Sequence, residues 1–137
     1  MKKISLSITA LLLSLNLYAS LVNDGVAAYN KGNFQKALKL YTKACDSGDT
    51  IGCYNLGQMN RGGEGTRQNY KKAVKLYAKA CDGGYTDGCY NLAVMYEEGM
   101  GIRQDKGTAK ELYGKACDDG NNKGCKYYKE LNETGVK

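Results

Sequence analysis

Apolar residues recur at spacings of three and four positions along most of the chain, which is the pattern of an amphipathic α-helix. The clearest example is Ala73, Val74, Leu76, Tyr77 and Ala80, and the same face returns thirty-six residues before and after it. Helix-capping residues and glycines divide this pattern into short segments. The sequence therefore predicts seven helices, at about residues 22–31, 34–46, 50–61, 70–82, 86–98, 106–118 and 122–133.

A fixed interval of thirty-six residues relates successive segments of the chain. Residues 45–80 and 81–116 are identical at more than half of their positions when they are aligned without gaps. Self-similarity at a period of about 20 to 50 residues is typical of solenoids, in which each unit buries its apolar face against its neighbours. We therefore expect an all-α, α/α solenoid of helix–turn–helix repeats. The repeats fall at about 22–53, 54–89 and 90–125, and the polar helix 122–133 serves as the C-terminal cap.

The six cysteines follow the same interval and come in pairs eight residues apart, namely Cys45 and Cys53, Cys81 and Cys89, Cys117 and Cys125. Six cysteines allow fifteen connectivities, but the repeat favours pairing within each pair, because the end of one helix faces the first turn of the next within disulfide reach. Zinc is the alternative. It usually requires shorter spacings or histidine ligands, and this chain has no histidine. We expect three disulfides, no metal site and no cofactor.

The N-terminus has the composition of a secretory signal peptide. Lys2 and Lys3 precede an apolar run over residues 4–17, and Ala19 is an acceptable cleavage site. A membrane anchor is the alternative, but the run is short for a bilayer span. We therefore expect a signal peptide over 1–19, a single repeat domain over 20–137, no membrane span after cleavage, and a secreted or periplasmic location, where cysteines pair.

The chain as a whole is basic. The whole chain carries a net charge of +6, and removal of Lys2 and Lys3 would leave 18 basic and 14 acidic residues, a net of +4. Lysines decorate the outer faces of the second helices of the repeats, at Lys36, Lys39, Lys43, Lys72, Lys75 and Lys79. This pattern is typical of a solvated face. A weak attraction to anionic partners of the cell envelope is the alternative, and we expect no nucleic-acid partner.

Three segments carry a resemblance to a known family. Residues 53–57 read Cys-Tyr-Asn-Leu-Gly, residues 63–69 read Gly-x-Gly-x-x-x-Asn, and residues 75–82 read Lys-Leu-Tyr-x-Lys-Ala-Cys-Asp. This pattern resembles the Sel1-like repeat, a relative of the tetratricopeptide repeat. With the cysteine spacing of eight it resembles the Helicobacter cysteine-rich protein family. The resemblance covers about residues 22–133, although 22–33 lack a cysteine and the glycine-rich loop. It implies β-lactam substrates and a penicillin-binding or β-lactamase activity.

The residues themselves offer little acid–base chemistry for such an activity. The chain has no histidine, and neither Ser20 nor Ser47 is followed three residues later by lysine, as serine β-lactamases require. The enzyme hypothesis therefore depends on the resemblance. Unusual groups would have to carry it, and the candidates, none of which is favoured, are Glu97, Glu98, Asp105, Tyr54 and Tyr90.

A non-catalytic binding scaffold is the reading that the residues favour. Helical repeats of this class form a concave face that suits a peptide. Asn55 and Asn91 resemble the asparagine that holds peptide backbone in tetratricopeptide repeats, although each could instead bond to neighbouring helix backbone. Tyr54 and Tyr90 are either core residues or groove residues. We expect a monomer whose partner is a peptide, a cell-wall (peptidoglycan) fragment, a β-lactam or a host protein.

Two arginines stand at equivalent positions in the glycine-bounded loops. Arg67 and Arg103 each precede a glutamine and lie one interval apart. Such loops are either simple connectors or binding elements, since loops carry function more often than cores do. We include Arg67 and Arg103 among the candidate ligand-groove residues.

Overall fold

The computed structural model describes residues 2–137, with side chains for 8–13, 16, 17 and 19–137. The described residues form seven α-helices and no strands: α1 (Lys2–Asn30), α2 (Phe34–Asp46), α3 (Thr50–Gly62), α4 (Tyr70–Asp82), α5 (Thr86–Glu98), α6 (Lys106–Asp118) and α7 (Asn122–Glu133). Each helix packs against the next along the chain. The predicted all-α solenoid is confirmed, and the bounds of α2 to α7 differ from the predicted ones by at most one residue.

The first helix is longer than predicted. It begins at Lys2 rather than near residue 22, because no glycine or proline interrupts the helix-forming residues before Gly25. The predicted signal peptide, 1–19, includes Met1 and several side chains that lie outside the described residues, and it stays a prediction. None of the helices in the described range has the length and apolar character that a membrane crossing requires.

Three equivalent tyrosines form the centre of the core. Tyr41, Tyr77 and Tyr113 lie thirty-six residues apart on α2, α4 and α6, and each is at most 4% exposed. Each ring packs where the preceding helix has a small residue. At Gly57, for example, a Cβ atom would lie 2.8 Å from Cε1 of Tyr77. The third ring, Tyr113, packs in the same buried cluster as Ala93, so the small residue at this position allows the two helices of a repeat to approach closely.

A disulfide joins the two helices at each repeat junction. The bonds link Cys45 to Cys53, Cys81 to Cys89 and Cys117 to Cys125, with Cα–Cα distances of 4.4, 4.5 and 4.5 Å. The turn between each pair contains a glycine with positive φ, at Gly48, Gly84 and Gly120. The first two bonds are buried, whereas both cysteines of the third are partly exposed. The predicted disulfide-linked architecture is therefore confirmed.

Hydrogen bonds hold the two glycine-bounded loops, residues 63–69 and 99–105, against the ends of α3 and α5. Asn69 donates its backbone N–H to Asn60 O at 2.7 Å, and Gln68 donates its side-chain amide to Arg61 O at 2.8 Å. The equivalent Gln104 donates to Glu97 O at 2.7 Å. These bonds satisfy carbonyl groups in the last turns of α3 and α5, so the glutamine of each loop closes the preceding helix.

Candidate functional site

A cleft of about 620 Å³ lies on one side of the solenoid, where α3, α5 and the start of α7 form its walls. The residues that line it are Tyr54, Gln58, Thr86, Asp87, Tyr90, Asn91, Asp119, Gly120, Asn121, Asn122 and Lys123. Three alternate helices, α3, α5 and α7, contribute side chains to this cleft, because they face the same side. Its volume lies within the range of ordinary ligand sites, about 300–1,000 Å³.

Tyrosine rings form much of the cleft. Tyr54 packs against Tyr77 and Tyr85, with ring centroids 5.9 and 5.0 Å away, and Tyr90 packs against Tyr113 and Tyr127 at 5.6 and 6.1 Å. Because the packing rings hold Tyr54 and Tyr90 in place, a ligand would meet two aromatic surfaces that lose little conformational freedom on binding.

A hydrogen-bond network holds two amide side chains of the cleft in place. The Tyr77 hydroxyl donates to Gln58 Oε1, and Gln58 Nε2 donates to the Tyr54 hydroxyl at 3.1 Å. Asn91 Nδ2 also donates to Gln58 Oε1, at 3.4 Å. Gln58 is exposed and Asn91 is 7% exposed. The network therefore holds one exposed amide and one nearly buried amide in defined orientations inside the cleft.

Burial raises the pKa of the cleft tyrosines further above neutral pH. It raises the pKa of Tyr77 to about 12, and Arg61 nearby opposes the shift. Burial also raises the pKa of Tyr54, with Asp87 adding to the shift, and it raises the pKa of Tyr90, with Tyr127 adding to it. At neutral pH these hydroxyls are hydrogen-bonding groups rather than phenolate nucleophiles.

One end of the cleft carries carboxylates on a chain that is otherwise basic. Asp87 and Asp119 line it together with a single ammonium, that of Lys123. Asp87 Oδ1 accepts a 3.0 Å hydrogen bond from Asn121 Nδ2, while Asn121 Oδ1 caps α7 by accepting from the Gly124 N–H at 2.8 Å. The cleft therefore differs in charge from the whole chain, which has a net charge of +6.

A hydrogen bond between a tyrosine and a carboxylate joins α5 and α6 beside the cleft. The Tyr113 hydroxyl donates to Glu97 Oε2 at 2.7 Å. Burial raises the pKa of Tyr113, and the hydrogen bond to the Glu97 carboxylate raises it further. Glu97 on α5 is the repeat equivalent of Arg61 on α3. The same position therefore carries opposite charges in adjacent repeats, each beside a core tyrosine.

The structure brings together some of the predicted groove residues and separates others. Tyr54, Tyr90 and Asn91 line the cleft. Asn55 lies in an adjoining depression between α1 and α3 that shares Tyr54 and Gln58 with the cleft. The expected alternative of a bond to neighbouring helix backbone does not describe Asn91, whose side chain contacts Gln58.

The candidate residues of the loops lie outside the cleft. Arg67 and Arg103 are exposed, and neither lines the cleft or the depression beside it. Asp105 caps α6, since it accepts hydrogen bonds from the Thr108 N–H and hydroxyl, and the bonds from Thr108 lower its pKa. Glu98 is exposed near the end of α5. A role in binding or catalysis for these four residues stays a prediction.

Sequence reasoning missed several polar residues of the cleft. Gln58, Asp87, Asn121 and Lys123 all line it, and none was a candidate. One signal was present in the sequence: the position of Gln58 on α3 carries Val94 on α5, so a polar side chain stands there in one repeat and not in the next.

The fold and the cleft together define a helical repeat protein with a polar, tyrosine-lined concave surface. The Sel1 repeat model matches residues 14–49, 50–85 and 86–121. The chain therefore belongs to the Sel1 repeat family.

Two curated relatives come from the J99 and 26695 strains of Helicobacter pylori, and both bear the name "Putative beta-lactamase HcpE". They are 42% identical over 48 residues and 47% identical over 45 residues, which is 35% and 31% of this chain. The matches cover 14% and 13% of the relatives, so the chain corresponds to a small part of their length.

Solved structures show the same fold. A protective antigen of uropathogenic Escherichia coli, c5321, which displays an SLR fold, aligns with a TM-score of 0.81 at 21% identity over 85% of this chain and 26% of its own. A Sel1 repeat protein from Oxalobacter formigenes aligns with a TM-score of 0.76 at 26% identity, covering 82% and 88%. Cysteine-rich protein B of Helicobacter pylori gives 0.70 at 24%, covering 85% and 92%.

Proposed function

We propose that the protein is a disulfide-linked binding scaffold whose cleft takes an extended peptide segment of a protein partner. The observation that carries this proposal is the pair of amides, Gln58 and Asn91, which hydrogen bonds hold in the same cleft as the rings of Tyr54 and Tyr90. Fixed amides suit a peptide backbone, which offers an N–H and a carbonyl at every residue. Helical repeat proteins use their extended concave surfaces for binding. The Sel1 repeats of this chain are helical repeats of this kind.

The geometry of the amides supports backbone recognition. Asn91 uses its Nδ2 for Gln58, and among the described residues its Oδ1 accepts no hydrogen bond, so it is available to a ligand N–H. A helix with its side chains is about 10 Å wide, so the axes of three helices that lie side by side span roughly 20 Å. An extended chain covers that distance with about six residues. The tyrosine rings would receive side chains on either side of this backbone.

Selection from a random heptapeptide library, followed by fluorescence anisotropy, tests the proposal. We expect Asn91→Ala and Gln58→Ala each to weaken the selected peptides about tenfold, because each removes a preorganised polar contact worth about 1.4 kcal/mol. Asn132→Ala is the matched control, since Asn132 is an exposed amide on α7 away from the cleft. Peptides that bind equally well to all three variants, or a library that yields no binder, would contradict the cleft as a peptide site.

A second candidate function is hydrolysis of a β-lactam amide, which the name of the two HcpE relatives supports. The cleft volume of about 620 Å³ also suits a small molecule. Nitrocefin turnover by repurified, mass-verified protein tests this function. We expect activity to copurify with the protein and to fall when the candidate carboxylates are neutralised as Glu97→Gln, Glu98→Gln and Asp105→Asn. A rate that disappears on further purification, or persists in the triple variant, would contradict this candidate.

A further inference from the structure

The outer side of the solenoid carries six exposed lysines on two helices. They are Lys36, Lys39 and Lys43 on α2 and Lys72, Lys75 and Lys79 on α4, and each residue of one helix has its equivalent thirty-six positions along on the other. We propose that this surface, the outer lysine face, docks on an anionic phospholipid surface. Groups of four to eight basic residues on one helical surface are typical of such binding.

The two helices lie side by side, so their lysines belong to one surface. At one end, Gln35 on α2 donates its side-chain amide to Gly65 O at 2.6 Å, and the loop that contains Gly65 leads directly into α4. At the other end, Lys79 on α4 donates to Cys45 O, in the last turn of α2, at 3.0 Å. A thirteen-residue helix is about 20 Å long, so two adjacent helices present an area of about 20 by 10 Å.

The charges of this face are not neutralised within the protein. The ion pairs found among the described side chains are Lys126–Glu130 and Lys129–Glu133, both within α7. On α2 and α4 the only carboxylates are those of Asp46 and Asp82, each the last residue of its helix. The positive potential therefore extends outward into solvent, where it attracts an anionic surface within a Debye length.

The aromatic residues that begin these helices take no part in this face. At 3.6 residues per turn, Phe34 and Tyr70 lie on the opposite side of α2 and α4 from the lysines, and the Phe34 ring packs 5.2 Å from the ring of Tyr29 on α1. The contact with lipid would therefore be electrostatic and should weaken with added salt.

The third helix on the outer side, α6, does not continue the lysine pattern of α2 and α4. In α6 the positions equivalent to the three lysines carry Thr108, Glu111 and Lys115. A lysine stripe that served only to keep the solenoid in solution would be needed equally on α6, because α6 presents the same side to solvent. The restriction of the pattern to α2 and α4 indicates a surface of limited extent, as a docking site has.

Vesicle binding by the full chain tests the proposal. The apolar residues of α1 would bind neutral and anionic lipid alike, so the readout is the ratio of affinity for phosphatidylglycerol-containing vesicles to that for pure phosphatidylcholine vesicles. Each lysine at an anionic surface contributes a factor of about five at moderate salt. We therefore expect Lys39→Gln with Lys75→Gln to lower this ratio about 25-fold.

The matched control is Lys126→Gln with Lys129→Gln, which removes the same net charge from ion-paired lysines on α7. We expect this control to change the ratio about twofold at most, because exposed charges away from the contact are screened. Equal losses in the two double variants would overturn the proposal, since they would indicate a general charge effect. Tighter binding to duplex DNA or heparin than to the anionic vesicles would overturn the assignment to lipid.

Discussion

Removal of single disulfides should destabilise the protein by amounts that depend on where each bond lies. All three bonds join cysteines eight residues apart and so close nine-residue loops. In the loop-entropy model each therefore contributes about 2.6 kcal/mol to the free energy of unfolding. Cys81 and Cys89 are 2% and 1% exposed, so replacing both with alanine also removes two buried sulfurs, at a further cost of about 1–2 kcal/mol.

The comparison of paired alanine variants by thermal melts measures this difference. With about 4 °C per kcal/mol for a domain of this size, we expect Tm to fall by about 10 °C for the Cys117–Cys125 pair and by about 15 °C for the Cys81–Cys89 pair. The three loop contributions together amount to about 8 kcal/mol, which is comparable to the whole stability of a small domain. Complete reduction by dithiothreitol should therefore unfold the chain.

Partial reduction gives a second readout from the same molecule. Cys117 and Cys125 are partly exposed, whereas the other four cysteines are buried, so mild reductant followed by alkylation and mass spectrometry should label the third pair first. A melt that dithiothreitol leaves unchanged would refute the stabilising role of the bonds. Equal Tm losses in the two alanine variants, or simultaneous labelling of all six cysteines, would refute the contribution of burial.

Three further predictions concern the tyrosine core. Gly57→Ala should destabilise the fold by about 1–3 kcal/mol in urea unfolding, because the new methyl group would lie 2.8 Å from the Tyr77 ring; an unchanged midpoint would contradict this packing. Tyr77→Phe should weaken peptide binding in the cleft, since it removes the hydroxyl that holds Gln58, whereas Tyr41→Phe on α2 should leave binding unchanged; equal effects would contradict the network. The raised pKa of Tyr77 means that the folded state retains a proton which the unfolded chain releases, so the contribution of Tyr77 to stability should be constant below pH 10.0 and fall between pH 10.0 and about 12. Alkaline unfolding of the wild type and Tyr77→Phe, monitored by phenolate absorbance, measures this contribution; an identical pH dependence in the two proteins would contradict the burial of the hydroxyl.

The fold was predictable because its determinants are local and repeated. The spacing of Cys81 and Cys89, the glycine at residue 84 and the apolar face around Tyr77 each determine a contact within one repeat or its junction. The start of α1 was not predictable in the same way. The residues that precede residue 22 lack a helix-breaking residue, so a signal sequence and an extended first helix give the same pattern.

The cleft was only partly predictable, because its chemistry depends on contacts between repeats. The spacing of Tyr77 identifies it as a core residue, but the spacing does not show that its hydroxyl reaches Gln58 on the preceding helix. The same is true of Asp87 and Asn121, which are thirty-four residues apart and meet only when two repeats stack. Arg67 and Arg103 show the opposite case. Their repeated loop motif predicts groove residues, but both lie outside the cleft.

The two proposed surfaces use different side chains of the same repeats. The outer lysine face belongs to α2 and α4, whereas the lining of the cleft comes from α3, α5 and the residues around the start of α7. Tyr77 on α4 connects the two sets of helices, since its ring is buried in the core while its hydroxyl donates to Gln58 in the cleft. A solenoid bound to lipid through α2 and α4 would therefore leave the cleft open to a peptide, and the rigidity that the disulfides provide would serve both contacts. Simultaneous binding of vesicle and peptide follows from this separation, because neither contact requires a residue of the other.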